Sequence, residues 1–211
     1  MKKFDPSLYF ITDSTNYTEE EFICRVEQAL QGGATLLQLR EKEKNTREYI
    51  KLAENVHAIA KHYNVPMIID DRVDVALAID AEGVHVGADD MPVAAARKLM
   101  GEGKIIGATA KTVLRAKEAF EQGADYLGVG AIYPTTTKVK TVLTSVDTLR
   151  DICNAVPIPV NAIGGLNKDN IHVLAGIPIS GICVVSAIMK AADPKRAAIQ
   201  LRAKANELGL Y

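Results

Sequence analysis

Eight short apolar runs, each followed by a stretch with helical spacing, leave few ways to fold this chain. The runs are Leu8 to Thr12, Ala34 to Leu39, Pro66 to Ile69, Val84 to Val86, Lys104 to Thr109, Tyr126 to Val129, Ile158 to Ile163 and Gly181 to Val185. Few of them alternate apolar with polar residues, so they read as strands buried on both faces, which is the signature of a parallel sheet. Between the second and third runs, Tyr49, Leu52, Ala53, Val56, Ile59, Ala60 and Tyr63 form one face at a 3.6-residue period. Thr18 and Glu21 have capping-box spacing ahead of the helical stripe Phe22, Val26 and Ala29. Helices are also expected from Val73 to Ile79, Met91 to Leu99, Leu143 to Ala155 and Asn167 to Ala175. The pattern predicts an α/β chain forming a single (β/α)8 TIM barrel across residues 1–211. A doubly wound open sheet is the competing architecture, but no GxGxxG motif opens the first helix.

Composition narrows the function classes. At 211 residues and 48% hydrophobic content the chain can bury a substantial core. A net charge of −1, with no long basic run, argues against nucleic acid as the principal partner. No apolar run approaches a membrane span, and Met1 to Pro6 lacks a signal-peptide apolar core. Cys24, Cys153 and Cys183 show no zinc-ligand spacing, so free thiols in a reducing cytoplasm are expected. Homo-oligomerisation is left open.

In a barrel of this kind the active site lies at the carboxyl ends of the strands. Polar residues collect there. The third run exits into Asp70 and Asp71, and the fourth is followed by Asp89 and Asp90. Carboxylates converging at one sheet edge suit a hard cation such as Mg2+, with Asp71 and Asp90 as candidate ligands. The competing reading is that these acids cap the helices beginning near Val73 and Pro92. His85, inside an apolar run, is read as a packing residue. Gln38, Arg40 and Lys42 sit at i, i+2 and i+4, so on an extended segment they share a face that can grip phosphate. A solvated strand exit balanced by Glu41 and Glu43 is the alternative. Pro134 to Lys138 brings three hydroxyls and an ammonium to a long loop, either a phosphate-binding loop or a plain surface one. Gly164-Gly165 and Val185-Ser186 follow the seventh and eighth runs, the usual barrel phosphate position. No nucleophilic triad is readable, which points to electrostatic work on phosphates.

Several of these segments together resemble the thiamine phosphate synthase family. They are Leu8 to Asp13, Gln38-Leu39-Arg40-Glu41-Lys42, Asp70 to Asp74, Gly83 to Gly87, Gly128 to Lys138, Ala162 to Leu166 and Val184 to Ile188, in the family's order along nearly the whole chain. The resemblance implies a transferase that joins a pyrimidine methyl diphosphate to a thiazole phosphate and releases pyrophosphate through a dissociative, carbocation-like transition state. It implies Mg2+ at Asp71 and Asp90. It implies pyrimidine diphosphate binding by Gln38, Leu39, Arg40, Glu41, Lys42, Asp70, Thr109 and Lys138. Thiazole phosphate would be held by Thr135, Thr136, Thr137, Gly165, Val185 and Ser186. The implied partners are small phosphorylated molecules, and the implied location is cytoplasmic. A thiazole phosphate tautomerase of the same fold, or a non-catalytic phosphate-binding barrel, are the alternatives. The chain departs from the family's usual pattern at four positions: Asp70 where Asn is frequent, Thr109 where Ser is, Lys111 where His is, and Asn161 where an aliphatic residue is.

Overall fold

A computed structural model describes residues 4–135 and 142–211. The strands are β1 (Leu8–Ile11), β2 (Leu36–Leu39), β3 (Met67–Asp70), β4 (Gly83–Val86), β5 (Ile105–Ala110), β6 (Tyr126–Gly130), β7 (Val160–Ile163) and β8 (Gly181–Val184). They pair in parallel, in sequence order, and β8 closes on β1. The expected (β/α)8 barrel is therefore present, and the open-sheet alternative is excluded.

The helices are α1 (Glu19–Gln31), α2 (Thr46–His62), α3 (Val73–Ala78), α4 (Val93–Met100), α5 (Val113–Glu121), α6 (Val146–Ala155), α7 (Ser186–Met189) and α8 (Pro194–Glu207). The Thr18/Glu21 capping box is formed, and Asn45 with Glu48 makes a second box that starts α2. Tyr49, Leu52, Ala53, Val56 and Ala60 of α2 are buried, as its periodicity predicts, whereas Ile59 and Tyr63 are only partly buried. Helix α6 begins later than expected because the Ser145 hydroxyl accepts the Thr148 N–H at 3.0 Å and fixes the start there. The region 167–175 holds only a 3-10 turn, Ile171–Leu174. Its entry is taken up by side-chain turns. Asn170 Oδ1 accepts from Asn167 N–H at 2.8 Å, and Asn167 Oδ1 accepts from Asp169 N–H at 2.9 Å. Such local bonds compete with the helical ladder.

Two apolar layers result. The larger fills the space between barrel and helices, with Leu37, Leu39, Met67, Ile69, Val84, Leu127 and Ala162 facing outward from the strands. The smaller lies inside the barrel and contains Tyr9, Ile11, Leu36, Ile68, Ile105, Tyr126 and Cys183. Residues Phe4 to Pro6 lie against its lower part. Phe4 packs edge-on against Tyr126 at 5.6 Å, and Asn161, fully buried, donates from Nδ2 to the Pro6 carbonyl at 2.7 Å. That contact gives Asn161 a structural role within its strand. No described helix is long and apolar enough to cross a membrane.

Candidate active site

Inward-pointing side chains normally fill a barrel of this type in layers. Here the upper part stays open as a cavity of about 230 Å³ at the carboxyl ends of the strands. Gln38, Arg40 and Lys42 all line it, so the i, i+2, i+4 spacing does place them on one face. Leu39 and Glu41, of opposite parity, do not. Leu39 is buried in the outer layer, and its carbonyl accepts from Tyr49 Oη at 2.7 Å. Glu41 turns toward Ser14, whose hydroxyl donates to it at 2.8 Å.

Asp70, Asp71 and Asp90 line the cavity as well. On a regular strand, consecutive residues point to opposite faces. Asp71 escapes that rule because its backbone is left-handed, with φ of 59°, while its N–H still donates to the His85 carbonyl at 2.8 Å. A non-glycine residue in that region carries backbone strain, a feature that gathers at functional sites. The capping alternative fails. Arg72 precedes α3 and Pro92 precedes α4, and neither helix has a side-chain cap bond. Asp90 instead folds back so that Oδ2 accepts the Gly87 N–H at 3.0 Å. A Cβ on Gly87 would stand 2.6 Å from that oxygen, so this return depends on glycine. Asp89 is exposed and lies outside the cavity lining.

Lys42 ties the acids together. Its Nζ lies 2.8 Å from Asp70 Oδ2 and also pairs with Asp71, while Arg40 Nε is 3.8 Å from Asp70 Oδ2. Burial, and then the adjacent Asp71 charge, push the Asp70 carboxyl above its usual range despite both cations. The Asp71 and Asp90 carboxyls perturb each other at the cavity edge. Desolvation, and then the neighbouring Asp71 carboxyl, raise Asp90. Asp71 is lowered, because its interactions with Lys42 and Asp90 outweigh its own desolvation. Lys42 is the cation beside Asp71, and Asp71 and Asp90 line the same cavity. A pair of carboxylates in an open cavity suits a cation that takes one or two carboxylates and fills its remaining positions from phosphate and water.

The opposite rim carries Thr135, Gly165, Val185 and Ser186, all lining the same cavity. Gly164 and Gly165 have φ of 105° and 65°. A Cβ on Gly165 would meet Tyr133 Cβ at 2.7 Å, so glycine lets the loop after β7 pack under residues 131–134. Thr136, Thr137 and Lys138 lie outside the described residues.

The cavity floor was not foreseen from the sequence. Tyr9, His85, Ile163 and Cys183 line it beside Thr109. Gln38 Nε2 donates to Tyr9 Oη at 2.7 Å, and Tyr9 Oη is 2.6 Å from Tyr126 Oη. His85 Nδ1 lies 3.1 Å from Tyr126 Oη, and its Nε2 lies 3.0 Å from Thr109 Oγ1. Burial pushes both phenols far above their usual range, so they stay protonated. His85 does pack, but as part of this chain rather than in the outer layer. The available signal was parity: Asp70 and His85 are register partners and share the inward side. Gly107 makes the room, since a Cβ there would stand 2.3 Å from Tyr126 Oη and 2.5 Å from His85 Nδ1.

Known proteins repeat this arrangement of chain and fold. The chain is 52% identical to thiamine-phosphate synthase 2 of Streptococcus pneumoniae over 186 residues, covering 88% of this chain and 89% of that one. It is 47% identical to the thiamine-phosphate synthase of Methanobrevibacter smithii over 201 residues, covering 95% and 96%. Among solved structures, the thiamine phosphate pyrophosphorylase from Pyrococcus furiosus superposes with a TM-score of 0.87 at 40% identity, covering 97% of each chain. Residues 8–188 match the family model described as thiamine monophosphate synthase, and on that match together with these relatives the chain belongs to the thiamine monophosphate synthase family.

Proposed function

We propose that this chain is an enzyme that joins 4-amino-2-methyl-5-(diphosphooxymethyl)pyrimidine to the thiazole phosphate, giving thiamine phosphate and pyrophosphate. The observation that carries this reading is one cavity lined by a cationic edge, Arg40 and Lys42, a carboxylate pair, Asp71 and Asp90, and a glycine and hydroxyl edge at Gly165 and Ser186. These are the parts needed to hold a diphosphate and a second phosphate together.

Arg40 and Lys42 bind the diphosphate oxygens, and Gln38 and Thr109 orient the pyrimidine. Asp71 and Asp90 hold Mg2+, which when bound supplies neutralising charge to the leaving diphosphate. The C–O bond to the diphosphate breaks, and its electron pair leaves with the phosphate oxygen. The positive charge left on the pyrimidine methylene is taken up by the thiazole nitrogen, which forms the new C–N bond. Ile11, Ile163 and Cys183, apolar residues of the lining, keep water from that carbon. Thr135, Gly165, Val185 and Ser186 hold the thiazole phosphate, and the family resemblance assigns Thr136 and Thr137 to the same phosphate and Lys138 to the diphosphate. No acid, base or nucleophile from the protein is required, because the chemistry is charge stabilisation and positioning. Asp70 braces Lys42. Leu39 and Glu41 lie outside the cavity lining and are left out of the set of side chains that touch substrate.

On this reading the protein works in the cytoplasm on small phosphorylated molecules, as one domain, without nucleic acid or membrane. The net charge of −1 supports the exclusion of nucleic acid. The test is incubation with both phosphorylated substrates, with and without Mg2+, while pyrophosphate is measured. Mg2+-dependent release is expected, and no release under either condition sinks the reading. Isomerisation of the thiazole phosphate without coupling would instead support the tautomerase.

A further inference from the structure

Five side chains from five strands form one hydrogen-bonded chain under the cavity: Gln38 (β2), Tyr9 (β1), Tyr126 (β6), His85 (β4) and Thr109 (β5). Each end member reaches the cavity. The chain has a direction. Gln38 donates from Nε2 to Tyr9, which leaves Gln38 Oε1 for the cavity. Tyr9 is buried, and the described residues offer its proton one hydrogen-bonding acceptor, Tyr126 Oη. Leaving a buried hydroxyl proton unmade is costly, so Tyr9 donates to Tyr126. Tyr126 has then accepted, and its own proton goes to His85 Nδ1. That fixes the neutral imidazole with its proton on Nε2, directed to Thr109 Oγ1. Thr109 has accepted in turn, and its hydroxyl proton is left for a ligand.

From this we infer that the Tyr9–Tyr126 pair is the specificity device of the site: it makes the cavity present an acceptor at Gln38 and a donor at Thr109, selecting a 4-aminopyrimidine over a 4-oxopyrimidine. This rests on the proposed function. An aminopyrimidine offers amine protons at one position and ring-nitrogen lone pairs at others. The oxo compound sets a carbonyl oxygen against Gln38 Oε1 and carries a proton on a ring nitrogen. Neither mismatch can be relieved by turning Gln38 alone, because its amide is tied to the phenol pair. Sites built around buried polar partners discriminate far more strongly than apolar pockets do, since a mismatch leaves those partners unpaired. Tyr9 and Tyr126 are positioning residues here, acting through Gln38, His85 and Thr109.

The test compares the amino and 4-oxo pyrimidine diphosphates at saturating thiazole phosphate and Mg2+, reading pyrophosphate release. Wild-type protein is expected to favour the amino compound by at least about 100-fold in kcat/KM. Tyr126→Phe removes the link between the two halves of the chain. It is expected to shrink that ratio by at least about tenfold. A purely structural role would lower both substrates together and leave the ratio unchanged, and that result overturns the inference. Imidazole 15N spectra of the wild-type protein give an independent reading that does not depend on the variant folding. The His85 signal, assigned by its loss in His85→Gln, is expected to show the Nε2–H tautomer, and the Nδ1–H tautomer overturns the inference. Absence of turnover with both pyrimidines in wild-type protein would be a failure of the proposed function, recognisable apart from either of these outcomes.

Discussion

Asp71 and Asp90, from the exits of neighbouring strands β3 and β4, line one cavity and displace each other's carboxyls in opposite directions, Asp71 down and Asp90 up. A proton on Asp90 competes with a divalent cation for the same carboxylate oxygens, and its raised affinity for that proton strengthens the competition. Mg2+ binding should therefore release protons, and affinity should fall as the pH drops through the raised Asp90 range. Calorimetry in two buffers of different ionisation enthalpy measures the release. Asp71→Ala or Asp90→Ala should lower Mg2+-dependent pyrophosphate release by about 100-fold or more, since even residues that only support metal ligands are worth about 10- to 100-fold. The barrel itself should remain folded, which circular dichroism checks.

Asp70 gives a stability prediction with a definite sign. Its folded pKa is raised above the usual 3.8 by burial and by Asp71. Between 3.8 and the raised value the folded chain binds more protons than the unfolded one, so stability falls as pH rises through that window. Above it, the charged Asp70 is a standing penalty. Asp70→Asn should raise the urea midpoint at pH 7, and the gain should fade as the pH is brought down toward 3.8. A lower midpoint at pH 7 would mean that pairing with Lys42 outweighs burial.

Lys42→Met removes the cation that pairs with Asp70 and Asp71. Because the Lys42 side chain is 44% exposed, the stability loss should be modest, about 1 kcal/mol. The functional loss should be larger. A charge-assisted bond to phosphate is worth enough that KM for the diphosphate substrate should rise about 10- to 100-fold. Steady-state kinetics and thermal unfolding on one preparation separate the two effects.

Gly107→Ala places a methyl group 2.1 Å from Tyr126 Cζ and 2.5 Å from His85 Nδ1. Neither ring can withdraw without breaking the floor. The substitution should cost about 1–3 kcal/mol of stability, read by denaturant unfolding. Activity toward the pyrimidine substrate should drop with it.

The barrel was legible because strand runs buried on both faces repeat without interruption and the α2 stripe from Tyr49 to Ala60 is unambiguous. Sites built on alternation were legible too: Gln38, Arg40 and Lys42 needed only a period of two. Asp71 was found by residue type, but its approach to the cavity was not readable, because it depends on a left-handed backbone at an aspartate. The capping reading of the acids looked reasonable in one dimension and fails because Arg72 and Pro92 occupy the cap positions. The floor was hidden for a different reason. Tyr9 and Tyr126 are 117 positions apart, and each resembles an ordinary apolar strand residue until closure of the barrel brings the phenols together. Asn161 is similar. Its partner is the backbone of Pro6, 155 positions away, and no local pattern announces that.

The lower mouth of the barrel is stoppered by residues Phe4 to Pro6, and this stopper touches the machinery above it. Phe4 leans on the ring of Tyr126, whose hydroxyl belongs to the cavity floor. The same ring is thus held from two sides, by Phe4 beneath it and by Tyr9 and His85 at its hydroxyl. The reaction chamber therefore rests on a foundation laid by the first described residues of the chain, at the end of the barrel opposite its open rim.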